Sequence, residues 1–157
     1  MSRISEDNFG RIWPAHIVNL TAFLVRLRDA FDGDLEAALI MAVIGSAMLP
    51  RGGTPKNLTY SGLRDFDANG EHYKPLNSFS IAQISEIPRE TVRRKLLHME
   101  RRGWISKDPR GHWHVESAGA RAMKPVTQYS LDYLNRMAAI ILSACDAPVC
   151  TDHDLEK

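Results

Sequence analysis

The chain has 157 residues, of which 44% are hydrophobic and 25% charged, and its formal net charge is +1. This is enough chain for one globular domain with a proper core, and the near-zero balance excludes a uniformly basic, sequence-blind polyanion binder. Two cysteines, Cys145 and Cys150, make no disulfide framework; the polar stretch Met1–Arg11 holds no apolar signal segment; and the longest uncharged run, Ala37 to Pro50, is too short to span a bilayer. A cytoplasmic protein with no membrane partner is expected.

In chain order, residues 1–11 read as frayed, and Pro14 suits the first turn of a helix. Ile17, Leu20, Leu24, Leu27 and Phe31 then recur at helical spacing and form one apolar stripe, core-facing by default, with a dimer interface as the alternative. Asp32-Gly33 ends that helix, and Asp34 offers an N-cap to a second, Leu35–Leu49, whose nearly all-round apolar character implies burial on most faces. Residues 51–77 are heavily punctuated by Gly, Pro and Asn-Gly; a short helix at Leu58–Phe66 is the one element read there. Ser78–Ile87 reads as a short helix and Pro88–Arg102 as a longer one, ended by Gly103. Trp104–Ser106 and Trp113–Val115 read as strands joined by an Asp108-Pro109-Arg110-Gly111 turn. Ser117 caps a helix that Pro125 is expected to break, and a last helix, Thr127–Cys145, shows Leu131, Leu134, Ala138 and Ile141 on one face. The polar tail from Asp146 reads as mobile.

Charge is unevenly distributed. Eight Lys/Arg and four acids lie between Asn77 and His114, a local net of +4, against twelve Lys/Arg and fifteen acids elsewhere. In the same stretch Ile81, Ile84 and Ile87 would pack the shorter helix on the longer one, and Ala82 is small where the two must approach. Val92, Leu96 and Met99 would face inward, leaving Arg89, Glu90, Arg93 and Arg94 outside. A nucleic-acid face on an otherwise neutral body has this pattern.

The run Ile81-Ala82, Ile87-Pro88-Arg89-Glu90-Thr91-Val92-Arg93-Arg94 and Leu96 resembles the helix-turn-helix of winged-helix bacterial transcription regulators, including MarR-like and GntR-like proteins. The resemblance continues through Met99-Glu100-Arg101-Arg102-Gly103-Trp104-Ile105 and into Val115–Arg121, with Glu116 and Ser117 where a MarR-like chain has Leu-Thr. It covers about 45 residues. It implies sequence-specific binding of double-stranded DNA, with the helix 88–102 in the major groove and the hairpin 106–113 on the backbone or minor groove. By position, Arg89, Glu90, Thr91, Arg93 and Arg94 would lie on or near the base-reading face. Ser78 and Ser80 would meet phosphate at a helix N-terminus, and Lys107, Arg110 and His112 would lie in or beside the wing. A homodimer is implied as well.

The expected fold is therefore mainly α: a winged helix-turn-helix with a two-stranded β wing, an N-terminal helical pair and a C-terminal helix. Residues 1–76 are assigned to packing and dimerisation, 77–124 to the winged module and 125–157 to the C-terminal helix and tail. The alternative is a winged-helix protein-interaction module without DNA binding. His112 and His114 share one strand face without an identifiable third ligand, and Cys145, Cys150 and His153 lack standard spacing, so no metal or cofactor is expected. No phosphate-binding loop, nucleophile elbow, zinc-protease or dinucleotide motif is present, and the expectation is not an enzyme. A small-molecule effector is left open, with no residue declaring its class.

Overall fold

The computed structural model describes residues 6, 8–49, 57–59, 62 and 76–146. Its elements are α1 (Phe9–Ala30), α2 (Leu35–Ala47), β1 (Leu76–Asn77), α3 (Ser78–Ser85), α4 (Arg89–Arg101), β2 (Ile105–Lys107), β3 (His112–Val115) and α5 (Ser117–Asp146). The protein is mainly helical, with one three-stranded antiparallel sheet in the order β1-β3-β2. It divides into two compact units, residues 27–124 and residues 1–26 with 125–157. Among the described residues no helix is long and apolar enough to cross a membrane. The short helix read over Leu58–Phe66 and the tail after Asp146 fall mostly outside the described residues.

The unit of residues 27–124 contains the main core. Asp34 caps α2 by accepting the Ala37 amide at 3.0 Å. Ile40, Met41, Val43 and Ile44 then bury one broad face of that helix, while Leu35 and Leu39 stay exposed on the other. Ala37 and Ala38 are buried as well, so the buried positions span most of the helix circumference, as the composition of α2 suggests, and Leu35 and Leu39 mark the narrower exposed face. Phe31 closes the core from the end of α1, its ring edge-on to Trp104 at 5.7 Å.

α3 starts at Asn77, whose side chain accepts the Ser80 amide. Its buried residues are Ile81 and Ala82, and Ile87 is buried just beyond its end. Ile84 is 58% exposed, contrary to the expectation that all three isoleucines pack inward. The buried face is centred between positions 81, 82 and 85, and 84 falls past its edge. Glu86 adopts φ 57° to turn the chain, and Pro88 sits at the N-cap of α4. Val92, Leu96 and Met99 of α4 are all buried against this core. Gly103 (φ +68°) ends α4, with its amide donating to the Glu100 carbonyl.

β2 and β3 form the hairpin, with Lys107 opposite Trp113 and Ile105 opposite Val115. The sheet has a third strand that the sequence reading lacks: Leu76 pairs with Trp113 and Asn77 with His112. The strand alternation turns Trp113 inward and His112 and His114 outward. α5 approaches this sheet closely at Gly119, where a Cβ would lie 2.2 Å from the Trp104 carbonyl oxygen.

Three expectations about the long helices are corrected. α1 begins at Phe9, so Pro14 lies inside it and residues 9–11 are helical. α5 is one helix through Pro125, because a proline removes one hydrogen bond and bends a helix without always ending it. The stripe from Ile17 to Phe31 buries only Phe31; no residue of α1 itself is buried.

In the other unit, the first part of α1 and the later part of α5 run antiparallel. Arg11 donates to the Ser143 hydroxyl at 2.7 Å, His16 Nδ1 lies 2.8 Å from the Tyr133 hydroxyl, and Arg26 stands over the Tyr129 ring. Among the described residues only Met137 and Ala144 are buried there, while Phe9, Trp13, Ile17, Val18, Leu24, Leu131, Leu134 and Leu142 remain exposed.

Candidate nucleic-acid interface

None of the ten candidate residues is buried. Arg89, Glu90, Arg93, Arg94, Lys107 and Arg110 are exposed; Ser78, Ser80, Thr91 and His112 are half-buried. The segregation on α4 follows from its sequence. With Val92, Leu96 and Met99 anchored in the core, the positions between them must face solvent.

The local pairings on that face are specific. Glu90 grips Arg93 through two bonds, Nε to Oε2 at 2.9 Å and Nη2 to Oε1 at 2.7 Å. The Arg93 hydrogen bond, with help from the Arg94 charge, holds the Glu90 carboxyl below its ordinary range, and Glu90 in turn raises Arg93. Arg89 takes a different partner: its guanidinium carbon stands 4.2 Å from the centre of the Phe79 ring. Arg94 and Arg110 enter no ion pair with any described residue.

Two basic residues of the positive stretch are committed elsewhere. Lys95 pairs with Asp34 and, at 3.3 Å, with Glu36; Arg102 pairs with Asp32 at 2.8 Å and lies over the Trp104 ring. Burial opposes charge on Asp34, but the Lys95 hydrogen bond and the Ala37 amide outweigh it and hold the carboxyl below its usual range. These partners are 61 and 70 residues apart, so a local charge count does not see them.

The hairpin turn is organised by Asp108, which the sequence places in the turn without revealing its pairing with two histidines. Its Oδ1 accepts the His112 amide at 2.8 Å, and its Oδ2 lies 3.3 Å from His112 Nδ1 and 3.4 Å from His114 Nε2. The His112 amide bond, then the two imidazole contacts, push the Asp108 pKa down to about 2. Lys107 lies over the Trp113 ring at 5.6 Å, and Trp113 Nε1 donates to the Ser78 hydroxyl at 2.9 Å. Ser78 therefore has a structural partner as well as a hydroxyl proton still to give, and the N-cap of α3 is Asn77. Among the described residues no group of three or more His, Cys, Asp or Glu could hold a metal ion.

Comparison with protein-family models, with curated proteins and with solved structures finds no match for the chain.

Proposed function

We propose that the protein is a sequence-specific double-stranded DNA-binding regulator of the winged helix-turn-helix type, a binding protein and not an enzyme. In this reading α3, the Glu86–Pro88 turn and α4 are the helix-turn-helix, and β2–β3 is the wing. One observation carries it: α4 anchors Val92, Leu96 and Met99 in the core while presenting Arg89, Arg93 and Arg94 to solvent, directly ahead of a hairpin tipped by Lys107 and Arg110. A helix with this division of faces fits the major groove and reads base edges from its N-terminal half. The test is enrichment of fragments from random duplex DNA, followed by Arg93→Ala and Arg94→Ala on the winning site. Each variant should lose about tenfold or more in specific binding, the cost of about one bidentate base contact, with an unchanged melting curve. Wild-type affinity in both variants would remove Arg93 and Arg94 as base contacts.

The antiparallel helices of the other unit are proposed as the homodimer surface. Two helices cannot cover one another's apolar faces, and a second copy would complete a four-helix arrangement. Light scattering should give twice the chain mass for wild type and a shift to monomer for Val18→Glu with Leu134→Glu; a monomeric wild type overturns this assignment.

A specific observation favours a second reading, a protein-interaction module. Ile84 on α3 is more than half exposed, and Leu97 on α4 is exposed too. Failure of any duplex to enrich would favour that reading.

A further inference from the structure

We propose that Phe79 is a positioning residue, whose ring fixes the Arg89 guanidinium so that Arg89 becomes the specificity-determining contact to one base pair. The proposal rests on the DNA-binding reading above.

Phe79 is the second residue of α3 and is 43% exposed, although α3 is anchored by Ile81 and Ala82 without it. Core packing therefore does not account for the ring. Arg89 is the first residue of α4, on the other side of the turn, and its guanidinium carbon is 4.2 Å from the ring centre. That is well inside the reach of about 6 Å over which an aromatic face attracts a cation.

Within residues 27–124 the other basic residues near rings differ; Arg26 over Tyr129 lies in the other unit, on a half-buried ring. Arg102 lies over Trp104, but that ring is buried and the guanidinium is tied to Asp32. Lys107 lies over Trp113, also a buried core ring. Arg93 is held by no ring, and the Glu90 carboxylate already occupies two of its donor nitrogens. Arg89 alone among these is an arginine held on an exposed ring and joined to no acid among the described residues. A guanidinium has five N–H donors and an aromatic ring accepts none of them as a carboxylate does, so contact with the ring leaves donors for a guanine O6/N7 pair. A long side chain normally surrenders rotamer freedom when it makes such a contact; contact with the ring removes part of that loss beforehand.

The experiment uses the full chain and the duplex enriched by wild type. Every position of that site is changed in turn, and relative affinities are measured for wild type, Arg89→Ala, Phe79→Leu and Phe79→Tyr. Arg89→Ala identifies the base pair that Arg89 reads. Phe79→Leu, which keeps an apolar side chain at an exposed site, should reduce discrimination at that base pair alone by about two- to fivefold. Phe79→Tyr, which keeps the ring, should restore it, and the salt dependence of binding should not move. An unchanged Phe79→Leu profile overturns the proposal. So does a uniform loss at every position, which would make Phe79 a structural residue only. If wild type enriches no duplex, the DNA reading itself fails and this inference falls with it, a result distinct from a wild-type profile that Phe79→Leu leaves intact.

Discussion

Gly119→Ala is the sharpest test of the packing between α5 and the sheet. A Cβ at this position would lie 2.2 Å from the Trp104 carbonyl oxygen, 2.9 Å from its carbon and 3.0 Å from Cα. All three atoms are backbone, so no side-chain rotation relieves the overlap. Nor is Trp104 free to retreat. Its amide donates to the Met99 carbonyl, its carbonyl accepts the Glu116 amide at 2.8 Å, and its ring is edge-on to Phe31. Forcing a methyl group into such a site costs about 1–3 kcal/mol and sometimes more. Against this, alanine is the better helix former by about 1 kcal/mol. We expect overpacking near or above the top of that range, and hence a net loss of about 2 kcal/mol, which lowers Tm by about 4–8 °C for a chain of this size. Gly45→Ala is the internal control: Gly45 lies within α2, and a Cβ there would meet nothing within 4 Å. It should raise stability by up to about 1 kcal/mol. Thermal melts of both variants by circular dichroism decide the matter. A Gly119→Ala protein as stable as Gly45→Ala would refute the close approach of α5 to Trp104.

Two further outcomes follow from the hairpin. Because the folded Asp108 titrates at about 2, its stabilising bonds are fully present above the ordinary carboxylate value, about 4, and are lost as the pH falls from there toward 2. Denaturant melts across that window should show stability falling with acid, and Asp108→Ala should flatten the decline; an equal slope in both proteins would rule Asp108 out as its source. Ser78→Ala should cost about 1–3 kcal/mol, because it strips the acceptor from the indole N–H of a Trp113 that is itself buried. Urea unfolding of this variant at wild-type stability would show that the Ser78–Trp113 bond contributes nothing.

Much of the α3–α4 region is legible in the sequence, for a local reason. Val92, Leu96 and Met99 repeat at helical spacing, Gly103 supplies the positive φ that ends the helix, and Asp108–Gly111 contains the residues that a tight turn requires. What escapes is non-local or too short to carry a period. β1 has two residues, so alternation cannot reveal it, and it exists only because β3 offers an edge beside it. Ile84 illustrates how an apolar residue three positions along rotates off the buried face of an eight-residue helix. Pro125 marks where local grammar overreaches, since the loss of one hydrogen bond does not end a thirty-residue helix. Among the candidate site residues, the sequence identifies the exposed arginines, but not which are already engaged. Phe79 under Arg89 and Asp108 between two imidazoles both require the chain to have folded.

The acidic turn between α1 and α2 has a consequence for the behaviour of the positive face in salt. Of the eight basic residues between Asn77 and His114, Arg93, Lys95 and Arg102 already face a carboxylate, which leaves five without one among the described residues. A polyanion binding here displaces counterions only where a cation is unpaired. The logarithm of its affinity should then fall against the logarithm of salt with a slope no steeper than about −4.5, where all eight charges would give about −7. Asp32, Asp34 and Glu90 thus work as internal counterions. If the face binds DNA as proposed, they would reduce the sequence-blind attraction to any phosphate backbone and leave proportionally more of the binding to contacts that distinguish one duplex from another.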